Sequence, residues 1–283
     1  MKKDWFMDTG SGSMHYLQRY GDLQIPCTPY TLKKLGFEQS LCLLKVDDYN
    51  LMIAPFQLGF KRSVFMGSLS IQEITFFQKY TNSIAGLSLG FSVPTRKEPL
   101  LFFIRCTILS LSPMKGRDTV ALFTLDYKNS PDEYIGILGS YLEGQEQLKQ
   151  LYESYGKEEL RLTPEVARTM GYNLYATIKD SSGKEGRIQI FSLNSKTIVH
   201  LEGPHVQERT AGSKVIFQLY FKKYKCTISG TIQESNRLPS GILRTRSFID
   251  FNPPLIEILD DYYFTARARS LNQTLSQEQP TAS

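Results

Sequence analysis

Apolar and polar residues alternate along most of this chain, with the period of two that is typical of strands buried on one face. Before residue 130, strand-like stretches occur at residues 41–46, 60–66, 87–93, 100–111 and 119–127. After residue 156, they occur at residues 172–179, 187–193, 197–201, 214–221, 224–233 and 243–251. Each set has enough short strands for one small antiparallel sheet or barrel. We therefore predict a mainly β fold with a minor helical part, made of two small antiparallel β-barrel or sheet domains.

Helix starts carry a recurring device, a capping residue followed by a proline. The four examples are Thr28-Pro29, Ser130-Pro131, Thr163-Pro164 and Asn252-Pro253. The capping side chain accepts a hydrogen bond from an otherwise unpaired amide, and proline at the first helical position has no amide to leave unpaired. The helix from Ser130 keeps apolar residues on one face to about Tyr155, so we predict that it joins the two sets of strands. The helix from Pro253 is predicted to end near Tyr263 and to lie on the second barrel.

These elements divide the chain into five segments. We predict a flexible leader at residues 1–14, an N-terminal β-rich domain at 15–129, a connecting helix at 130–156, a β-barrel domain with a C-terminal helix at 157–269, and a disordered tail at 270–283. The tail is assigned to disorder because it has almost no apolar surface to bury. No internal repeat is apparent in the sequence.

The composition is that of an ordinary globular protein, with 41% hydrophobic and 22% charged residues. No apolar run approaches the roughly 20 residues that a membrane-spanning helix requires. The first residues also lack the apolar stretch and cleavage site of a secretory signal. We therefore expect a cytoplasmic protein without a membrane span. The formal net charge of +5 suits an anionic partner, although the basic residues are scattered.

Candidate catalytic and metal sites are missing from the sequence. No phosphate-binding or dinucleotide-binding glycine motif stands between a strand and a helix. His200 and His205 flank a turn at Gly203-Pro204 and are interpreted as surface polar residues rather than metal ligands. The widely spaced cysteines predict reduced core residues. They are Cys27, Cys42, Cys106 and Cys226. Because no nucleophile, base and orienting group come together, we expect no enzyme, no cofactor and no metal.

One segment indicates a nucleic-acid surface. From Tyr220 to Cys226 the sequence interleaves aromatic residues with Lys222, Lys223 and Lys225. Some β-sheet platforms for single-stranded nucleic acid have this composition. The simpler interpretation is a hairpin with lysines at its tip and aromatic residues turned inward, where the charge discourages edge pairing. A β-barrel nucleic-acid-binding protein therefore stays open as the alternative function.

From about residue 158 to residue 269 the order of features resembles a PilZ domain, a bacterial six-stranded β-barrel family that commonly binds cyclic di-GMP. In that family an R-x-x-x-R motif precedes the first barrel strand, and a [D/N]-x-S-x-x-G motif ends the next strand. The equivalents here are the segments 168–172 and 192–197, RTMGY and SLNSKT. Tyr172 thus stands where the family has its second arginine, and Thr197 stands where it has the glycine.

The resemblance implies a role for each of these residues. In the family, two guanidinium groups hold phosphates and lie against guanine faces. On that basis Arg161 or Arg168 would hold a phosphate, and Tyr172 would stack on a base. Hydrogen bonds to the ligand would come from Ser192, Asn194 and Thr197.

The preceding half is similar to the N-terminal regions that accompany PilZ barrels, in its run of strands, its SIQE and SPDE helices and its KGRD turn. Taken together, the resemblances imply a non-enzymatic PilZ-type signalling adaptor. It would regulate motility or surface behaviour through a protein partner from the motility or signalling machinery, with cyclic di-GMP as the candidate ligand.

Overall fold

The computed structural model describes residues 12–94, 96–222 and 225–277. It divides into two compact units, Met1–Gly144 and Gln145–Ser283. Strands make up 45% and helices 29% of the chain, and the strands form two closed six-stranded antiparallel barrels. The predicted mainly β fold with two small barrels is therefore confirmed.

The first unit is a closed barrel with one additional strand. Its strands are β1 (Gln24–Pro26), β2 (Leu43–Val46), β3 (Tyr49–Gly59), β4 (Arg62–Ser68), β5 (Ile84–Phe91), β6 (Leu100–Met114) and β7 (Arg117–Tyr127). The ring runs β2-β5-β6-β7-β4-β3 and closes from β3 to β2, while β1 pairs with β3 outside the ring. The helices are α1 (Gly12–Tyr20), α2 (Pro29–Leu35), α3 (Ile71–Gln78) and the first part of α4 (Asp132–Tyr155), with a 3-10 turn at Gln39–Leu41.

The second unit repeats this plan. Its strands are β8 (Leu160–Arg161), β9 (Tyr172–Asp180), β10 (Glu185–Leu193), β11 (Thr197–Glu202), β12 (Lys214–Phe221), β13 (Lys225–Arg237) and β14 (Leu243–Ile249). The ring runs β9-β10-β11-β14-β13-β12 and closes from β12 to β9, while β8 pairs with β10 outside the ring. The helices are the end of α4, α5 (Pro164–Met170) and α6 (Pro253–Gln277).

Both rings connect their strands in the same order. When the six strands of each ring are numbered in chain order, neighbours around the ring follow the order 1-2-3-6-5-4 in both units. In both units the additional strand pairs with the second strand of the ring. In both units that additional strand leads into a short helix with a threonine cap, a proline start and a left-handed glycine end. These helices are α2, from Thr28 to Gly36, and α5, from Thr163 to Gly171. The sequence itself shows no internal repeat, because the repeat lies in the strand order, and the two capped helices are a local feature that both units share.

The first barrel has an aromatic core. Tyr134, at the start of α4, is in aromatic contact with three side chains. Its ring centroid lies 6.0 Å from those of Phe91, Phe102 and Tyr127, a distance that is typical of aromatic pairs. The Tyr134 hydroxyl donates to the carbonyl of Gly59 at 3.0 Å. The first turns of α4 therefore seal one end of this barrel.

The second barrel has a partly polar interior. His200 is fully buried, and its Nε2 lies 3.2 Å from Glu202 Oε2. Arg209, from the loop between β11 and β12, donates to both oxygens of the Glu202 carboxylate at 2.8 and 2.7 Å. The interpretation of His200 as a surface residue was therefore wrong. Its position on β11 turns it inward, with its ring 5.6 Å from that of Phe217.

The ends of the chain differ in part from the prediction. Helix α1 begins at Gly12, inside the expected leader, of which residues 1–11 lie outside the described part. Helix α6 continues past Tyr263 to Gln277, into the segment 270–283 that we expected to be disordered, and residues 278–283 also lie outside that part. The four cysteines are free, and three of them are buried. Among the described helices, none combines the length and the apolar character needed to cross a bilayer.

Candidate functional site

The turn between β10 and β11 is built around one asparagine. Asn194 Oδ1 accepts hydrogen bonds from the backbone amides of Lys196 and Thr197, at 2.8 and 2.7 Å, and from the Thr197 hydroxyl at 3.0 Å. Its Nδ2 donates to the carbonyl of Gly156 at 3.2 Å. Asparagine side chains replace backbone turns in this way. Asn194 and Thr197 are thus both buried and committed to holding the turn.

The peptide that leads into the barrel lies directly beside this turn. Strand β8 pairs with the end of β10, so that Arg161 is opposite Ser192. The Ser192 hydroxyl donates to Glu159 Oε2 at 3.0 Å. The same carboxylate forms an ion pair with Arg246 of β14, whose Nε lies 3.7 Å from Glu234. We call the set Glu159, Arg161, Phe191, residues 192–197, Arg244 and Arg246 the corner site.

Two further guanidinium groups gather on one aromatic ring of the corner site. Arg161 Cζ lies 5.1 Å and Arg244 Cζ lies 5.6 Å from the centroid of the half-buried Phe191. Both arginines are exposed. Because guanidinium groups present forked donors that match phosphate oxygens, this arrangement can bind a phosphate-bearing anion.

The structure places the predicted ligand residues in different environments. Within the corner site Arg161 is exposed, whereas Ser192, Asn194 and Thr197 are buried. Arg168 is exposed in the last turn of α5. None of the described hydrogen bonds or ion pairs links the Arg168 side chain to the corner site.

Tyr172 belongs to the core of the second barrel. Its ring is 6% exposed and packs 5.3 Å from that of Phe221. Burial raises the pKa of Tyr172 to about 12, and the nearby charge of Arg187 only partly opposes this rise. A ring in this position supports the barrel wall and is not exposed for stacking on a ligand.

Sequence reasoning missed Glu159, Phe191, Arg244 and Arg246. A signal for the two arginines was present, since residues two apart on a strand share a face and the β14 sequence LRTRSFI places Arg244 and Arg246 together. Glu159 gave no such signal, and its contact with Ser192 places it in the corner site. Among the described residues, no group of three or more histidine, cysteine, aspartate or glutamate side chains could hold a metal ion.

Comparison with known families gives one match. Residues 14–145 match the family model of the PilZN3 domain. This match confirms the resemblance to PilZ proteins, in the half of the chain that carries no short diagnostic motif. No curated protein matches the chain.

Several solved structures are similar in fold. PlzA of Borreliella burgdorferi in complex with c-di-GMP is 15% identical, with 89% of this chain and 98% of that chain covered and a TM-score of 0.45. YcgR of Escherichia coli, also with c-di-GMP, is 11% identical over 93% and 100% of the two chains, with a TM-score of 0.29. The Bacillus subtilis inhibitor of motility MotI is 9% identical over 83% and 98%, with a TM-score of 0.28. At such low identities and scores, the likeness alone assigns no ligand to this chain.

Proposed function

We propose that this chain, whose residues 14–145 match the PilZN3 domain, is a non-enzymatic PilZ-type signalling protein that binds cyclic di-GMP at the corner site of its second barrel. One observation supports the proposal above the others. The pairing of β8 with β10 brings the lead-in peptide, with Arg161, against the turn at residues 192–197, as ligand binding in PilZ barrels requires.

The ligand chemistry fits the exposed groups of the corner site. Cyclic di-GMP carries two phosphates and two flat guanine bases. Arg161 and Arg244 offer two guanidinium groups at one aromatic ring, in place of the arginine pair of the family motif. Each can donate paired hydrogen bonds to a phosphate or lie flat against a guanine. The buried turn formed by Asn194 and Thr197 then shapes the site without touching the ligand through those side chains.

In this proposal Glu159 competes with a phosphate of the ligand for the same contacts. Its carboxylate accepts from the Ser192 hydroxyl and pairs with Arg246, which are contacts that a phosphate oxygen can also make. A bound anion therefore meets a site whose third arginine is already neutralised. Removing the charge of Glu159 leaves Arg246 with its longer contact to Glu234, at 3.7 Å, and lowers the repulsion felt by a phosphate.

Calorimetric titration of the full chain with cyclic di-GMP tests the assignment. Arg161→Ala and Arg244→Ala are each expected to weaken binding by about ten- to a hundred-fold, since hydrogen bonds to charged groups contribute about 1.5–3 kcal/mol. Glu159→Gln is expected to strengthen binding. Arg62→Ala, at an exposed arginine of the first barrel that pairs with Asp126, is the matched control and should change nothing.

The results separate this site from its competitors. Loss of binding in Arg168→Ala with full binding in Arg161→Ala would move the site towards α5 and contradict the proposal. Absence of binding up to millimolar ligand would contradict the receptor function altogether.

The output that we propose is contact with a protein partner from the motility or signalling machinery. A receptor without catalytic groups has to act through another molecule, so its partner should be captured differently with and without the ligand. Affinity purification of the full chain in both conditions, with Arg161→Ala as the control, measures this difference. The proposed output would be contradicted if the same proteins were captured with and without ligand, and by the wild-type chain and the variant alike.

A further inference from the structure

A row of aromatic and basic side chains crosses the outside of the second barrel, away from the residues of the corner site. It consists of Arg187 on β10, Tyr175 on β9, Tyr220 on β12 and Lys225 on β13, and we call it the tyrosine row. Arg187 Cζ lies 5.3 Å from the Tyr175 centroid, the two tyrosine centroids are 5.2 Å apart, and Lys225 Nζ lies 5.2 Å from the Tyr220 centroid. Four adjacent strands thus each contribute one side chain.

A backbone irregularity presents Tyr175 on the surface. Between the paired positions Ala176–Leu219 and Tyr172–Phe221, β9 has three residues where β12 has one. Within this bulge Leu174 adopts a left-handed conformation with φ 60, and Asn173 Oδ1 accepts from the Tyr175 amide at 3.1 Å. Leucine rarely adopts such a φ, and such strain concentrates at functional positions. The consequence is an exposed ring, with 40% of Tyr175 accessible, next to Tyr220.

The charges of the tyrosine row are available to a partner. Arg187 and Lys225 are both exposed, and among the described residues neither forms an ion pair with a carboxylate. Exposed lysines continue the same strands at Lys179 and Lys214. Of the acidic residues on these strands, Asp180 accepts from the amides of Ser182 and Lys184 and Glu234 pairs with Arg246, which leaves Glu185. The surface is therefore basic around its aromatic centre.

We propose that the tyrosine row binds single-stranded nucleic acid. Exposed rings on an antiparallel sheet stack on bases of any sequence, and flanking cations follow the phosphate backbone. A duplex hides its base faces, so a surface whose affinity comes from stacking prefers a single strand. The hairpin segment noted in the sequence supplied Tyr220 and Lys225, whereas Tyr175 and Arg187 come from strands that the fold brings beside it. Lys223 and Tyr224 of that segment lie outside the described residues.

Fluorescence anisotropy of the full chain with a labelled oligo-dT or oligo-U of about 15 nucleotides tests the proposal. Tyr175→Ala and Tyr220→Ala are each expected to weaken binding about ten-fold, while Tyr175→Phe and Tyr220→Phe keep the stacking ring and the affinity. Arg187→Gln and Lys225→Gln should each lower the slope of log affinity against log salt by about 0.7. Because both cations are exposed, these variants stay informative even where an alanine variant fails to fold. Tyr49→Ala, a similarly exposed tyrosine of the first barrel, is the matched control.

Three results would overturn the inference. They are no binding of the single strand at low salt, equal binding by the folded double variant Tyr175→Ala/Tyr220→Ala, and a duplex that binds as tightly as the single strand. The inference is independent of the proposed function, because Arg161→Ala should weaken cyclic di-GMP binding and leave oligonucleotide binding unchanged.

Discussion

The two barrels share their strand order but differ in what they bury. Among the described residues, the first unit buries only two polar side chains of the non-aromatic kinds, Thr31 and Ser63. The second buries nine, including a histidine and a glutamate. They are Thr177, Ser192, Asn194, Ser195, Thr197, His200, Glu202, Thr245 and Ser247. Four of these nine, Ser192, Asn194, Ser195 and Thr197, belong to the corner site. His200, Glu202, Thr245 and Ser247 lie on the same strand faces as the core residues Ile198 and Ile249, so the same ring of strands surrounds an aromatic core in one unit and a partly polar core in the other.

This difference shows that the strand order of the barrel does not depend on an entirely apolar core. Alternating apolar residues and turn signals suffice to close either ring. A buried polar group lowers stability unless it finds a partner. In the second barrel most partners are present, but His200 Nδ1, Thr177 Oγ1 and Ser247 Oγ have none among the described residues. The polar interior is therefore a specialisation of the second unit, and the two barrels can be distinguished by experiment.

The largest expected difference concerns the ion pair inside the second barrel. Arg209→Met leaves the buried Glu202 carboxylate without its charged partner, which costs about 3–5 kcal/mol. Hydrogen exchange should then rise along β11–β14 and stay unchanged along β2–β7, because the described residues of the first barrel include no buried ion pair. Urea denaturation followed by circular dichroism gives the free energy of unfolding.

A double variant distinguishes loss of charge compensation from loss of packing. Glu202→Leu/Arg209→Met removes both charges, and most of the lost stability should return, since apolar replacement of a buried ion pair is often neutral. A double variant as unstable as Arg209→Met alone would show that the pair acts through packing or through the loop that carries Arg209.

The second difference compares two glycines at the same position of the repeat. Gly36 ends α2 with φ 66, and Gly171 ends α5 with φ 69. A Cβ on Gly36 would lie 2.0 Å from the carbonyl oxygen of Ser92, whereas a Cβ on Gly171 would only touch the flexible Lys222 side chain at 3.4 Å. We expect Gly171→Ala to cost about 1 kcal/mol through backbone conformation alone. Gly36→Ala should cost about 1–3 kcal/mol more, because backbone has to move.

The same denaturation experiment measures both glycine variants. Equal losses of stability at the two positions would mean that the backbone near Ser92 moves at little cost. The close approach of α2 to the end of β5 would then not distinguish the first barrel from the second.

The local elements of this fold could be predicted from the sequence, because their determinants are local. The caps at Thr28 and Thr163 accept from the amides of Thr31 and Val166, and Asn252 accepts from that of Leu255. Ser130 is the exception. Its hydroxyl donates to the carbonyl of Phe60 instead, and α4 begins at Asp132. A capping residue before a proline therefore predicts the start of a helix correctly, unless a tertiary contact takes the hydroxyl of that residue.

The candidate site was less predictable, because its members meet across strands. The turn at residues 192–197 follows from local patterns, but the contacts of Glu159 with Ser192 and Arg246 depend on the register of four strands, β8, β10, β11 and β14. The same reason explains why the motif spacing favoured Arg168, whereas the pairing of β8 with β10 brings Arg161 to the turn. Register in a closed barrel is set by all strands together and cannot be read from one segment.

The smallest expected difference between the barrels is their response to acid. Burial lowers the pKa of His200, against the hydrogen bond and charge of Glu202, so the folded protein keeps this ring neutral. Burial by itself would raise the pKa of Glu202, but hydrogen bonds from His200 and Arg209 outweigh it and lower the value to about 2. Glu202 therefore stays ionised down to strongly acidic pH.

Below the ordinary histidine pKa of about 6.5, the unfolded chain binds a proton at His200 more readily than the folded chain does, so stability falls as the pH decreases through this region. One proton limits the slope to at most about 1.4 kcal/mol per pH unit. Free energies of unfolding measured between pH 7.5 and pH 5.5, a range of roughly one unit on either side of the histidine pKa, should show this loss.

His200→Gln removes the titrating group and should flatten the pH profile of the second barrel's stability, whatever its effect on the stability itself. An unchanged slope in His200→Gln would mean that the acid response arises from other groups and that the polar interior does not distinguish the second barrel by its pH dependence.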